Sequence, residues 1–288
     1  MDTEQSAHRL TIIGAGTMGV GIATMAIGHG VPVVLVETGT LARDSAYTRV
    51  RQQTRHAQLL GGTPRGAAPA ELTVTGELAD GRHASAVIEA VTESAALKAD
   101  VLGEVCGLVE PGTPLITNTS GIPIGELAAT LKRPGDLLGT HFMNPPYLIR
   151  MVEVIRGERS DQAAMAATMA LLSALGRQPV VVRDAPGFVT SRLLHPMIND
   201  AARVVGAGTA TVEQVDALMH GCLGYPTGPL RTADLIGLDN LADSLTALYE
   251  RTGDEGCRPC EVLLDKVRQG HLGRKSGRGF YDYGEALS

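Results

Sequence analysis

The chain has 288 residues, of which 44% are apolar and 19% charged, and a formal net charge of −6. This length is enough for one large or two smaller domains, and the acidic balance argues against general nucleic-acid binding, which requires a basic surface. Four cysteines are too few and too scattered for a disulfide framework; Cys257 and Cys260 have the spacing of half a zinc site, but no second pair of ligands matches them. We therefore expect a globular protein of a reducing, cytoplasmic setting that holds no metal.

An uncharged stretch over residues 10–36 is long enough to suggest a membrane span. Six glycines and Pro32 interrupt it, and it begins too far inside the chain for a signal peptide. A buried strand, a glycine turn, a helix and a second buried strand explain it better. We therefore expect neither a membrane segment nor a targeting segment.

The first half of the chain alternates short β-branched runs with longer helical patterns, which is typical of a parallel sheet with crossover helices. The predicted strands are residues 10–13, 32–36, 72–75, 86–90, 114–117, 137–140, 151–155 and 180–183. The predicted helices are residues 19–29, 42–60 and 97–108, and a Gly/Pro-rich loop over residues 61–69 follows the second of them.

After Arg183 the valine runs become rare, and helical patterns follow over residues 189–206, 211–222, 229–251 and 260–270. The change of pattern places a domain boundary near Asp184. The predicted fold class is therefore α/β, with a Rossmann-like doubly wound parallel sheet over residues 1–184 and an all-helical C-terminal domain over residues 185–288.

The motif Gly-Ala-Gly-Thr-Met-Gly follows the first predicted strand and opens the first predicted helix. Glycines at this spacing allow a tight turn, close approach of the backbone to a pyrophosphate, and packing of the helix on the strand. The helix N-terminus also offers free N–H groups to the phosphates. We therefore expect a dinucleotide to contact Gly14, Gly16, Thr17, Met18 and Gly19.

Glu37 ends the second predicted strand, about 20 residues after the glycines, as in dinucleotide-binding folds. A carboxylate at this position accepts hydrogen bonds from the ribose hydroxyls and repels a 2′-phosphate. The predicted cofactor is therefore NAD rather than NADP.

Two segments in the middle of the chain carry a more specific signature: GTHFMNPP at residues 139–146 and VEV at residues 152–154. Together they resemble the 3-hydroxyacyl-CoA dehydrogenase family, and in particular its 3-hydroxybutyryl-CoA dehydrogenase-like members. Further segments match in order, from NTS at residues 118–120 to GRKSGRGFY at residues 273–281. The resemblance therefore covers essentially the whole chain.

Oxidation of a secondary alcohol requires removal of the hydroxyl proton while a hydride leaves the carbon, and histidine suits proton removal because its pKa lies near the working pH. The resemblance implies that His141 is the general base of an NAD-dependent oxidoreductase and that Glu153 orients its imidazole. It also implies that Ser120 contacts substrate and cofactor and that Asn144 holds the substrate or the cofactor amide. The implied reaction converts an (S)-3-hydroxyacyl-CoA into the 3-oxoacyl thioester.

The resemblance assigns further residues to the cofactor. It implies that Glu93 and Lys98 lie near the nicotinamide ribose, and that Asn118 and Lys275 also lie at the cofactor. It further implies that residues 1–184 form the NAD-binding domain, that residues 185–288 serve substrate binding and dimerisation, and that the protein is a homodimer.

Two departures from the family pattern concern the substrate. Ser191 stands where most members have an asparagine that hydrogen-bonds the substrate, and serine is shorter and has fewer donors. CoA-specific members carry phosphate-binding lysines in the region of residues 42–69. This chain has no lysine there, and its basic side chains other than histidine are those of Arg43, Arg49, Arg51, Arg55 and Arg65. Arginine binds phosphate at least as well, so a CoA thioester remains the leading substrate.

Three alternatives stay open at this point. In the first, the thioester is held on an acyl carrier protein instead of CoA, as for glyceryl groups in polyketide extender-unit biosynthesis. In the second, the substrate is a free 3-hydroxy acid. In the third, the chain binds NAD without catalysis. The intact pair of His141 and Glu153 argues against the last alternative, because a structural role requires neither residue. We expect no nucleic-acid and no membrane partner.

Overall fold

The computed structural model of this protein describes residues 8–284. The chain divides between Asp184 and Ala185 into two compact units.

A single sheet of eight strands forms the centre of the first unit: β1 (Leu10–Ile13), β2 (Val33–Val36), β3 (Leu72–Thr75), β4 (Ala86–Glu89), β5 (Leu115–Thr117), β6 (Leu137–Phe142), β7 (Met151–Arg156) and β8 (Gln178–Arg183). Their order across the sheet is β3-β2-β1-β4-β5-β6-β7-β8. The predicted α/β class is confirmed, and the predicted ends of the strands differ from the observed ones by at most two residues.

The pairing of β7 departs from the parallel sheet that we predict, because β7 is antiparallel to β6 while all other neighbours are parallel. Only residues 143–150 connect the two strands, whereas a parallel neighbour needs a crossover of about a dozen residues or more. The short connection therefore reverses the chain, and it places Glu153 directly opposite His141.

Five α-helices lie among residues 8–184: α1 (Thr17–Gly28), α2 (Thr40–Leu59), α3 (Ala95–Leu108), α4 (Ile124–Ala128) and α5 (Gln162–Ala174). Helices α4 and α5 are not among the predicted helices. The sequence of α5, QAAMAATMALLSA, is rich in the strong helix formers Ala, Leu and Met. It buries Met165, Leu171 and Leu172 in the core of the first unit.

The uncharged stretch over residues 10–36 forms β1, α1 and β2. In α1 every residue from 19 to 28 is buried, and a helix that is apolar on all sides belongs in a protein core. Within residues 8–284, no helix has the length and apolar character that crossing a membrane requires.

The second unit is helical, as predicted, with α6 (Thr190–Gly206), α7 (Val212–Leu223), α8 (Pro229–Ile236), α9 (Leu238–Thr252) and α10 (Glu261–Arg268). Its core includes Ile198, Leu230 and Leu241. The prediction of one continuous helical pattern over residues 229–251 is wrong. Gly237 has a φ of +94°, which residues with a side chain rarely adopt, and it separates α8 from α9.

Candidate active site

The three glycines of the loop between β1 and α1 have different environments. Gly14 has a φ of +101°, and a Cβ atom there would lie 2.7 Å from a backbone oxygen just after β4. A Cβ atom at Gly19 would overlap the carbonyl oxygen of Gly14. Gly16 has ordinary backbone angles, and no atom lies within 4 Å of a Cβ built on it. The fold therefore requires the first and third glycines, whereas Gly16 keeps space clear beside Thr17 and Met18, which begin α1.

Glu37 follows β2 and lies beside this loop. Its Oε2 accepts a hydrogen bond from the N–H of Ala15, and its Oε1 accepts one from the N–H of Gly39, both at 2.8 Å. Arg49 donates to the carbonyl oxygen of Ala15, also at 2.8 Å. A carboxylate has about four lone-pair sites, so Glu37 keeps acceptor capacity for hydroxyl groups. The clear space at Gly16 and this carboxylate together fit the pyrophosphate and ribose of a dinucleotide.

His141 and Glu153 face each other across β6 and β7 at paired positions of the register. The imidazole Nδ1 lies 3.1 Å from Glu153 Oε2, and both residues are buried. Because an ionised carboxylate only accepts hydrogen bonds, Nδ1 of the neutral imidazole carries the proton and Nε2 is its basic nitrogen. The arrangement can therefore remove a proton through Nε2 while Glu153 stabilises the imidazolium that forms.

The ends of β4 and β5 bring Glu93 to the segment that contains Ser120. Glu93 Oε1 accepts hydrogen bonds from the N–H of Ser120 at 2.9 Å and from its hydroxyl at 3.2 Å, and it also accepts one from the hydroxyl of Thr119. Glu93 is thus a positioning group for Ser120, a contact that the sequence alone does not predict.

A buried ion pair lies next to this contact. Lys98 Nζ is 2.8 Å from Glu89 Oε1 and 3.3 Å from Glu93 Oε2. Glu89 ends β4 and also accepts hydrogen bonds from the hydroxyl of Thr117 and the N–H of Val91, both at 2.7 Å. Lys98 and Glu89 are completely buried. The ammonium group that we predict at the cofactor is therefore engaged inside the protein, with an acid that the sequence analysis missed.

Two asparagines of the predicted site lie at the same end of the sheet. Asn118 follows β5, and its Oδ1 accepts a hydrogen bond from the N–H of Phe142 at 3.2 Å, which ties the ends of β5 and β6 together. Asn144 lies in the segment after β6 with its side chain exposed, and its peptide bond to Pro145 is cis.

The two remaining predicted residues belong to the second unit. Ser191 is buried in the first turn of α6. Lys275 Nζ donates a hydrogen bond to Asp239 Oδ2 at 2.6 Å. Both residues therefore lie in the helical unit, where Lys275 is paired with Asp239.

Family models for 3-hydroxyacyl-CoA dehydrogenases match nearly the whole chain. The model of the NAD binding domain matches residues 9–185, and the model of the C-terminal domain matches residues 187–283. The boundary between the two models lies within two residues of the point at which the chain divides into its two compact units.

Full-length relatives and solved structures agree with this match. The 3-hydroxybutyryl-CoA dehydrogenase of Mycobacterium tuberculosis (strain H37Rv) is 39% identical over 96% of this chain and 98% of that protein. A probable 3-hydroxybutyryl-CoA dehydrogenase of Bacillus subtilis (strain 168) is 38% identical over 97% of this chain and 99% of that protein. The crystal structure of (S)-3-hydroxybutyryl-CoA dehydrogenase PaaH1 from Ralstonia eutropha has a TM-score of 0.87 at 35% identity and covers 97% of this chain and 100% of that chain.

Proposed function

This chain belongs to the 3-hydroxyacyl-CoA dehydrogenase family, and from that membership we propose that it oxidises (S)-3-hydroxybutyryl-CoA to the 3-oxoacyl-CoA and catalyses the reverse reduction. The observation that carries the proposal is the buried pair of His141 and Glu153, with Nδ1 and Oε2 3.1 Å apart. Relatives named 3-hydroxybutyryl-CoA dehydrogenase, at 38–39% identity over nearly the full length, support this substrate.

The first unit matches the NAD binding domain of the family, so the cofactor is NAD. When bound, NAD would supply the acceptor for the hydride that leaves the carbon carrying the substrate hydroxyl. The N–H groups at the start of α1 and the clear space at Gly16 suit the pyrophosphate. The carboxylate of Glu37 suits the ribose hydroxyls and excludes a 2′-phosphate.

In the proposed mechanism, His141 takes the proton of the substrate hydroxyl on Nε2. Glu153 accepts a hydrogen bond from Nδ1, fixes the tautomer and stabilises the imidazolium. In the reverse direction the imidazolium returns the proton. Asn144 donates a hydrogen bond to the substrate oxygen as negative charge develops on it. Ser120, whose backbone N–H is held by Glu93, does the same when its hydroxyl proton turns from Glu93 to the substrate.

The substrate is tested by comparing three hydroxyl compounds with purified protein and NAD: (S)-3-hydroxybutyryl-CoA, a glyceryl group on an acyl carrier protein, and free 3-hydroxybutyrate. We expect NADH formation with the CoA ester at a kcat/KM in the ordinary enzyme range, about 10⁴ M⁻¹s⁻¹ or more. Much lower values are expected for the other two. Turnover of only the carrier-bound or the free compound would contradict the substrate, and no turnover of any compound would contradict the activity.

Gly16→Ala is expected to weaken NADH binding at least about tenfold, equivalent to about 1.4 kcal/mol. The added methyl group occupies the clear space beside α1, while the backbone angles of Gly16 suit alanine. The free energy of unfolding is therefore expected to change by only about 1 kcal/mol or less. Fluorescence titration with NADH and urea denaturation measure the two quantities.

Gly103→Ala is the matched control for this substitution, because Gly103 also has no atom within 4 Å of an added Cβ but lies inside α3. It is expected to leave NADH affinity unchanged and to raise stability by roughly 0.4–1 kcal/mol. Equal NADH affinity in Gly16→Ala and the wild type would show that the loop does not hold the pyrophosphate.

We also propose that the second unit forms a homodimer contact and that the protein is cytoplasmic. The dimer proposal is supported by three leucines of α6 and α7, Leu193, Leu218 and Leu223, which are 69%, 58% and 65% exposed, because association removes such apolar surface from water. The location is supported by the four cysteines, which are all free thiols, as in reducing compartments.

A further inference from the structure

Ala15 lies between two glycines in the loop that joins β1 to α1. Each of the two peptide units that flank Ala15 therefore has a glycine at one end, Gly14 before it and Gly16 after it. Because glycine adopts more backbone conformations than any other residue, such a peptide unit rotates at little steric cost. The direction in which this loop presents its N–H groups must therefore be set by contacts from elsewhere in the chain.

Side chains from two other elements hold Ala15 on both sides. Its N–H donates a hydrogen bond to Oε2 of Glu37, which follows β2, and its carbonyl oxygen accepts one from Nη1 of Arg49 in α2, both at 2.8 Å. Among residues 8–284, the side chain of Arg49 makes no ion pair and no other hydrogen bond. The contact with the loop is thus the one polar interaction that the rest of the described chain offers this guanidinium group.

The bond from Arg49 also fixes the direction of the next N–H group. The peptide bond between Ala15 and Gly16 is trans, since the only cis bond among the described residues precedes Pro145. In a planar trans peptide unit the C=O and N–H groups point in opposite directions. The N–H of Gly16 therefore points away from Arg49, and within residues 8–284 it has no hydrogen-bond partner. It is a free donor beside the clear space at Gly16.

Arg49 differs from the neighbouring arginines of α2. Arg51 and Arg55 are exposed, whereas Arg49 is half-buried and lies close to Ala46 and Val50 of the buried face of the helix. Holding a long side chain in one conformation costs entropy, and a neutral carbonyl group does not compensate the charge. A solvated arginine would gain nothing from this arrangement. A bound pyrophosphate would place negative charge on the same loop.

We infer that Arg49 is a positioning residue for NAD, because it holds the peptide unit between Ala15 and Gly16 in the orientation that presents the N–H of Gly16 to the pyrophosphate. Glu37 holds the preceding peptide unit through the N–H of Ala15. Helix α2 thereby acts on the cofactor through the backbone of the loop. The inference rests on NAD as the cofactor and on no property of the hydroxyl substrate.

The test compares ligands with and without a pyrophosphate on protein that contains no hydroxyl substrate. The Kd of NADH is measured by fluorescence titration, and those of ADP and adenosine by displacement of NADH. Arg49→Met keeps the aliphatic part of the side chain but removes its donors and its charge. It is expected to raise the Kd of NADH and ADP about tenfold and to leave that of adenosine within about twofold, because the carboxylate of Glu37 is unchanged.

Two further variants complete the test. Arg49→Lys is expected to bind NADH within about threefold of the wild type, because the contact with Ala15 uses a single donor that an ammonium group can replace. Arg55→Met is the matched control, since it removes an exposed arginine of the same helix with the same change in charge. It is expected to leave all three Kd values unchanged.

The inference is overturned if Arg49→Met binds NADH as tightly as the wild type, or if Arg49→Lys binds it no better than Arg49→Met. An equal loss for adenosine and ADP would show general damage to the first unit, and an equal loss in Arg55→Met would show a general effect of charge; either result also overturns it. Because no hydroxyl substrate is present, failure here leaves the proposed activity standing.

Discussion

His141→Gln is expected to lower the kcat for oxidation of (S)-3-hydroxybutyryl-CoA by about 10²–10⁴-fold, which is the usual contribution of a positioned general acid–base group. Glutamine is close in size to histidine but takes up no proton at working pH, so the loss falls on the step in which the hydroxyl proton leaves. The loop at Gly16 and the carboxylate of Glu37 are unchanged. The Kd for NADH is therefore expected to stay within about twofold of the wild type, since no contact that holds the cofactor is removed.

Two further variants test whether the loss of kcat arises from the removal of the His141 imidazole at the site. His83→Gln is the matched control, because His83 is exposed and lies outside the site, and it is expected to leave kcat unchanged. Glu153→Gln keeps a polar group opposite Nδ1 but removes the negative charge, so the imidazolium loses its stabilising partner and the pH profile of kcat/KM should shift. Turnover by His141→Gln close to that of the wild type would show that another group removes the proton.

Much of the fold can be predicted from local sequence patterns, because the same segments form the strands and helices of the folded chain. Runs of apolar and β-branched residues predict every strand of the sheet. In the central strands β1 and β4 these runs are continuous, because parallel strands buried on both faces need apolar sequence. The orientation of β7 could also be predicted from the eight residues between β6 and β7, which are too few for a crossover helix. The break at Gly237 is harder to predict, since a glycine inside a helical pattern is often tolerated and only its φ of +94° ends α8.

For the active site, the sequence predicts which residues take part but not how their side chains contact one another. The motifs that include His141 and Glu153 identify the catalytic pair, but only the antiparallel register shows how the two side chains meet. Lys98 is predicted at the cofactor from family resemblance. Its spacing to Leu102 and Val105, four and seven residues on, already places it on the buried face of α3. The acid that this buried charge requires, Glu89, lies on another element and is found only in the folded chain.

Lys98→Met is expected to lower the free energy of unfolding by about 3–5 kcal/mol, the usual cost of breaking a buried ion pair by removing one partner. Methionine fills much of the space of the lysine side chain, so the effect arises mainly from charge. Without the ammonium group, the carboxyl group of Glu89 keeps its hydrogen bonds from Thr117 and Val91 but loses its counter-ion at 0% exposure. Urea denaturation of the NAD-free protein measures the loss.

The double variant Glu89→Gln with Lys98→Met decides whether charge is the cause. Glutamine can keep hydrogen bonds with Thr117 and Val91 but needs no counter-ion, so most of the stability lost in Lys98→Met should return. Lys132→Met is the control, since Lys132 is exposed and a substitution there should change stability by no more than about 0.5 kcal/mol. If the double variant is no more stable than Lys98→Met, the lost stability comes from packing around α3 or from the ion pair of Lys98 with Glu93, and not from the charge of Glu89.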